Sequence, residues 1–356
     1  MKTLIRKLII ILVAAALPLP LYNIVFDPYG VIRKDYRHLI ICPNERFAKT
    51  YLVLNHPTKW DSFIFGSSVV SQIPVEPMNA LTGHRYYNMS YIAGAPHDHL
   101  RVLRLMIDRG VKISNLLIGL DVFSFRYMPP ILLTIRTWHY PQGRWNTIDF
   151  YSRHLFLEPD AGFLDEVWFD GKEARYDLYT TGQYYFLKKE RLIAERPDRH
   201  LAKFMAPPLI VCNQRLEKTM SEIRDIMRLC RDHGIAVRFF ITPILRRWYL
   251  CDDIDYLNRV RMELAALGDY WDFTHLNSVT NNPFNYYDET HFRPPVGAMM
   301  VSKMFGKGEA APADFGFLVT KENVGEYTRR CKREHDDARK KLDIACPPCI
   351  RGGGSL

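Results

Sequence analysis

Asp61-Ser-Phe-Ile-Phe-Gly-Ser-Ser-Val-Val70 is the stretch from which the fold is read. Phe63-Ile-Phe65 is a short, continuous apolar run, the pattern of a strand covered on both faces. It stops at Gly66-Ser67-Ser68, where a tight turn or a helix start is expected. A buried strand that ends in small hydroxylated residues presents those hydroxyls at its carboxyl end, which makes Ser68 a candidate nucleophile. A plain turn or N-cap explains the same tripeptide, so the serine needs partners elsewhere in the chain.

Outward from this strand, similar runs alternate with helical patterns. Arg85–Tyr91 reads as a second strand ending in the loop Ile92-Ala-Gly-Ala95. Pro96 suits the first turn of a helix striped by Leu100, Leu103, Leu105 and Met106 and stopped at Gly110. Leu116–Leu120 is a third strand, Ile235–Pro243 a fourth and Asp269–Phe273 a fifth. Between them, Met220, Ile223, Ile226, Met227 and Cys230 mark one helix and residues 253–266 another. This alternation predicts an α/β fold, a three-layer α/β/α sandwich around a mostly parallel sheet of about five strands with right-handed crossovers. In such sheets the ligand crevice lies beyond the carboxyl ends of the strands, where Ser68 and the loop after Tyr91 would fall.

The chain has 356 residues and a net charge of +9, with no run of like charge and no nucleic-acid motif to concentrate it. We read a mildly basic surface suited to acidic glycans or anionic lipid, and no nucleic-acid partner. Lys2, Arg6 and Lys7 precede the uncharged run Leu8–Phe26, which is long enough to span a bilayer. A cleavable signal peptide competes, but Leu17-Pro18 follows the small residues Ala14 and Ala16 awkwardly. A retained, single-pass signal-anchor is expected, with an inside N-terminus and the bulk of the chain on the extracytoplasmic, periplasmic side of the inner membrane. The expected organisation is a cytoplasmic stub and anchor over 1–27, a connecting segment over 28–59, and an α/β domain over 60–306. Residues 124–208 form an aromatic-rich insertion within that domain, a lid, a glycan-binding wall or simply a cover for the sheet. Residues 307–356 are a charged tail whose stretch Lys321–Asp343 reads as a solvated helix. The seven cysteines are too few for a disulfide-built scaffold, and Cys346-Pro-Pro-Cys349 reads as a local disulfide or as incidental tail cysteines.

A serine attacks only when a base takes its proton, and the base works best when a third group holds its tautomer. Asp288-Glu-Thr-His291 supplies both, with His291 as base and Asp288 as its orienting acid. His97-Asp-His99 is a weak metal candidate because alternate residues on a helix start point apart. No metal is expected. No glycine-rich phosphate loop follows a strand, so no cofactor is expected either.

Gly66-Ser67-Ser68, Gly94, Gly119-Leu-Asp121 and Asp288-Glu-Thr-His291 together resemble the SGNH (GDSL-like) hydrolase superfamily, over about residues 60–125 and 235–305. The resemblance implies a flavodoxin-like α/β/α domain with Ser68, Asp288 and His291 as catalytic residues. It places Gly94 and Asp121 at the oxyanion site, Asp121 standing where that family carries asparagine. An ionised aspartate there would repel the developing charge. The Gly-Ser-Ser variant, the N-terminal anchor and the late Asp-x-x-His look most like one branch of the superfamily, that of the teichoic-acid D-alanylation protein DltD and the alginate O-acetylation proteins. That likeness implies an acyl-serine esterase or O-acyltransferase acting on envelope or exported polysaccharide beside a membrane-bound O-acyltransferase. Its rival is a catalytically degenerate module that binds polymer or scaffolds such a complex.

Overall fold

The computed structural model describes residues 4–7, 17–36, 43–127, 135–159, 176–206, 208, 210, 212–306, 311–342 and 346–347. The strands described are β1 Ser62–Phe65, β2 Tyr86–Asn88, β3 Asn115–Leu120, β4 Tyr176–Asp177, β5 Gln183–Tyr184, β6 Ala236–Ile241, β7 Tyr270–Asp272 and β8 Phe317–Val319. Around them run the helices α1 Pro18–Phe26, α2 Glu45–Asn55, α3 Val75–Thr82, α4 Pro96–Asp108, α5 Arg144–Leu155 and α6 Leu187–Glu195. They continue as α7 Pro197–Ala202, α8 Leu216–Asp232, α9 Arg246–Cys251, α10 Ile254–Leu267, α11 Pro294–Phe305 and α12 Val324–Leu342.

Six strands form one sheet in the order β2-β1-β3-β6-β7-β8, and β4 and β5 form a separate antiparallel pair. Every neighbouring pair in the large sheet is parallel except β7 with β8. Side chains alternate between two cores. Phe63, Phe65, Leu116, Ile118, Leu120, Phe239 and Ile241 face α4, α8 and α10, whose Met106, Ile223 and Val260 are buried among them. Ile64, Leu117 and Phe240 face the other way, toward Met78 of α3 and Val296 and Met300 of α11. Period-two alternation thus buries both faces of the sheet, which is why Phe63–Phe65 reads as an unbroken apolar run.

Three expectations change. The tail is not a solvated appendage. Phe317-Leu-Val319 adds β8 to the sheet edge as a sixth strand, and α12 packs on α10, with Tyr327 and Cys331 in the core. A narrow stripe at four-residue spacing suffices to seat a helix that is otherwise charged. Cys346 pairs with Cys251, 95 positions away, and not with Cys349, so the chain end is tied to α9. The third change concerns the anchor. Residues 8–16 of the run Leu8–Phe26 lie outside the described residues, and no helix among the described residues is long and apolar enough to cross a membrane. Residues Pro18–Phe26 form α1, which docks on α5. Its buried Asn23 donates from Nδ2 to the Leu155 and Leu157 carbonyls at 3.1 and 2.9 Å. Two of that amide's three hydrogen bonds come from lying against the domain, the third going to the Leu19 carbonyl at 3.1 Å, an arrangement the apolar run did not disclose.

The insertion closes over the strand ends. Its β4–β5 hairpin is tied to the sheet by Asn88 N–H donating to the Thr181 carbonyl at 2.8 Å, and Gln72 donates from Nε2 to the Tyr184 carbonyl at 2.6 Å. Several of the described aromatics pack against the domain, Phe150 being buried. Trp138, Tyr140, Phe150 and Tyr151 gather around Phe47 of α2. Trp168 and Phe169 lie outside the described residues.

Candidate active site

The turn after β1 sets the first component. Ser67 caps a 3-10 turn over Ser68–Gln72, its Oγ accepting from Val69 N–H at 3.2 Å, and Ser68 is the first residue of that turn. Gly66 admits the turn because a Cβ there would meet the Val70 side chain at 2.3 Å. Ser68 Oγ lies 2.9 Å from Nε2 of His291, 223 positions along the chain.

Asp288 orients that imidazole. Its Oδ1 accepts from the His291 backbone N–H at 2.9 Å and lies 2.8 Å from His291 Nδ1. Burial alone would raise the Asp288 carboxyl, but the imidazole beside it, its hydrogen bonds and the Lys189 ammonium hold it well below the usual carboxylate range. An ionised Asp288 keeps the proton on Nδ1 and leaves Nε2 to accept from Ser68. The chain Asp288, His291, Ser68 is therefore arranged for proton transfer from the hydroxyl.

The insertion buttresses this loop through α6, which the sequence did not single out. Lys189 Nζ lies 3.2 Å from Asp288 Oδ2. Glu190 takes a two-pronged contact from Arg293, at 2.9 and 2.5 Å, and a hydrogen bond from Tyr287 Oη at 2.5 Å. The Phe186 ring stands 5.8 Å from the His291 ring. Lys189-Glu190 is an ordinary charge pair in a helix, so no sequence signal marked it. The clue available was only its position after a run of aromatics.

The opposite side of Ser68 is built from backbone. Tyr91 N–H donates to the Gly66 carbonyl at 3.3 Å, and a Cβ on Gly94 would meet that same carbonyl at 2.6 Å, so the loop after β2 lies directly on the nucleophile turn. Gly94 N–H donates to the Tyr91 carbonyl at 3.1 Å, closing the turn. The Ser68 amide donates no hydrogen bond to the described residues. The Asp121 carboxylate accepts hydrogen bonds from two serines. Ser67 Oγ donates to its Oδ2, and the Ser124 N–H and Oγ donate to its Oδ1 at 2.8 and 3.1 Å. Burial pushes its carboxyl up, against those hydrogen bonds. Both oxygens are committed to the scaffold, and Asp121 supports the nucleophile turn through Ser67.

Helix α2, expected to be part of a connecting segment, holds the oxyanion-side loop with buried charge. Glu45 Oε2 accepts from Ile92 N–H at 2.7 Å. Arg46 donates to the Ile92 and Ala93 carbonyls at 3.2 and 3.1 Å and pairs with Asp98 at 2.9 Å. Lys49 donates to the Ser90 carbonyl at 2.5 Å. Burial lowers the Lys49 ammonium to about 8, with Glu45 opposing the shift. Asp98 also accepts from Ala95 N–H at 3.1 Å. These contacts fix Ala93 at a φ of 50°, a left-handed conformation that an alanine holds only under constraint. The signal was present as three charges clustered in the first turns of Glu45-Arg-Phe-Ala-Lys49.

His97, Asp98 and His99 part company, as their alternate spacing implies. His97 is half-exposed beside Asp98 and Glu222, whereas the buried His99 has Nδ1 2.7 Å from Tyr91 Oη. No group of three or more His, Cys, Asp or Glu among the described residues is arranged to hold a metal ion. A cavity of about 620 Å³ between α10 and α12 is lined by Arg126, Asp252, Lys332 and His335 and includes none of Ser68, Asp288 and His291. Comparison of the chain with protein-family models and with curated proteins returned no match.

Proposed function

We propose that the chain is a serine esterase or O-acyltransferase of the SGNH type, anchored by its N-terminal segment with the α/β domain outside the cytoplasmic membrane. The observation that carries this reading is the continuous relay from Ser68 Oγ through His291 to Asp288, at 2.9 and 2.8 Å, at the carboxyl end of a central parallel strand. Ser68 attacks the carbonyl of an acyl donor while its proton passes to His291 Nε2. The imidazolium, stabilised by Asp288, returns the proton to the leaving oxygen, and an acyl-serine ester remains. A polymer hydroxyl or water then gives its proton to His291 and attacks the ester, and the proton returns to Ser68. The acceptor proposed is a cell-envelope or exported polysaccharide, and the partner a membrane-bound O-acyltransferase. The Cys251–Cys346 disulfide favours an oxidising, extracytoplasmic compartment.

A second reading has its own support. With the Gly94 amide used in its turn and Asp121 bound to serines, the oxyanion side offers few free donors, which suits a degenerate module that binds polysaccharide or scaffolds an acyltransferase complex. Turnover of a small acetyl ester decides between them. The esterase reading expects turnover that Ser68→Ala abolishes; folded wild-type protein without turnover or acyl transfer speaks for the binding module.

A further inference from the structure

We propose that the outer faces of α1 and α5 form a docking surface for an anionic lipid bilayer, so that the domain lies against the headgroups instead of hanging from a tether. The inference rests on the N-terminal anchoring proposed above and is independent of the serine chemistry.

Helix α1 turns Asn23 inward and leaves Leu21, Ile24 and Val25 outward, Val25 being 59 % exposed. Helix α5 buries Phe150 and His154 against Phe47 and Trp138, and its opposite side carries Trp145, 77 % exposed, with Ile148 and, at the helix end, Phe156. The two helices pack on one another through the Asn23 hydrogen bonds to Leu155 and Leu157, which brings Phe156 beside α1. Isolated exposed apolar residues are ordinary, but six on two packed helices are a concentration of the kind that marks an interface.

Two observations identify the occupant as lipid. The chain enters α1 directly from Leu8–Ala16, nine positions without a polar side chain, preceded by Lys2, Arg6 and Lys7, so the surface continues the most apolar stretch of the protein. Basic side chains lie on or beside α5, one of them paired with an acid. Arg144 lies 6.0 Å from the Trp145 ring, Arg153 is paired with Asp149, and Lys34 sits 4.8 Å over the Tyr151 ring. A tryptophan set among aliphatic side chains with basic side chains nearby suits the boundary between headgroups and acyl chains, where its ring is apolar and its N–H stays wet.

The test uses the full chain reconstituted into phosphatidylglycerol and phosphatidylethanolamine vesicles containing brominated phosphatidylcholine, with tryptophan fluorescence as the readout. Bromine quenches only indoles at the acyl boundary. Brominated lipid should quench part of the wild-type emission, and Trp145→Phe, at an exposed site that leaves folding intact, should lose most of that quenching. Three results overturn the proposal. If the protein floats with vesicles yet Trp145→Phe is quenched as much as wild type, the anchor stands and the docking surface falls. Absence of flotation removes both. Unquenched Trp145 in protein that crosslinks as a dimer assigns the face to a second copy.

Discussion

The two sides of Ser68 are held by different physics. On the base side, His291 touches Ser68 directly and Asp288 holds His291, and the groups that brace them, Lys189, Glu190 and Arg293, are partly exposed. On the other side lies the loop 90–95, and its braces are buried charges, Glu45, Arg46, Lys49 and Asp98. Exposed ion pairs contribute little and are screened by salt, whereas a buried charge stripped of its partner is costly. The site is therefore tolerant where its chemistry is most visible and fragile where it is least so.

The sharpest way to break this contrast is Arg46→Met. It leaves the Asp98 carboxylate buried without its guanidinium and frees the Ile92 and Ala93 carbonyls, so we expect a loss of about 3–5 kcal/mol in folding stability by denaturant titration. A loss below 1 kcal/mol would put the two sides on equal terms.

A smaller effect is expected with pH. Burial lowers the His99 imidazole to about 3, so on acidification below its ordinary value the unfolded chain takes up the proton and the folded chain does not. Stability attributable to His99 is whole above about pH 6.5 and falls as pH drops toward 3, by about 2 kcal/mol at pH 5. His99→Gln should flatten the pH dependence of the melting free energy between pH 7.5 and pH 5 by about that amount; an unchanged slope contradicts the burial argument.

Asp121→Asn sharpens the comparison at its ambiguous point. Were residue 121 an oxyanion donor position, the amide would raise the esterase rate. Since its carboxylate instead receives Ser67 and Ser124, the exchange should cost about 1–2 kcal/mol of stability without a rate gain. Lys189→Met should do least. We expect under 1 kcal/mol in stability and a several-fold drop in kcat/KM at low salt that closes at high salt, the mark of an exposed pair acting on Asp288. A drop that persists at high salt would make Lys189 part of the buried machinery.

The same contrast explains what was legible in the sequence. The five parallel strands are short, mostly apolar runs, and Asp288 and His291 form a local pair at a spacing that chemistry requires, so both could be read without neighbours. β8 is three residues of an edge strand, and α12 carries its stripe within dense charge, so their burial depends on partners far along the chain. The oxyanion-side braces come from a helix ahead of the first strand and act on carbonyls and amides, which have no side-chain signature. Asp121 was placed by position in a motif, yet its partners Ser67 and Ser124 decide what it does. The aromatic insertion stayed open for a related reason, because rings that fill a core and rings that line a site are written alike.

The central claim is that Ser68 is an activated nucleophile. Its most direct test is mass spectrometry of folded protein after reaction with a fluorophosphonate. The account predicts one adduct on the peptide containing Ser68, lost in Ser68→Ala and strongly slowed in His291→Ala. An unmodified Ser68 in folded wild-type protein would contradict it.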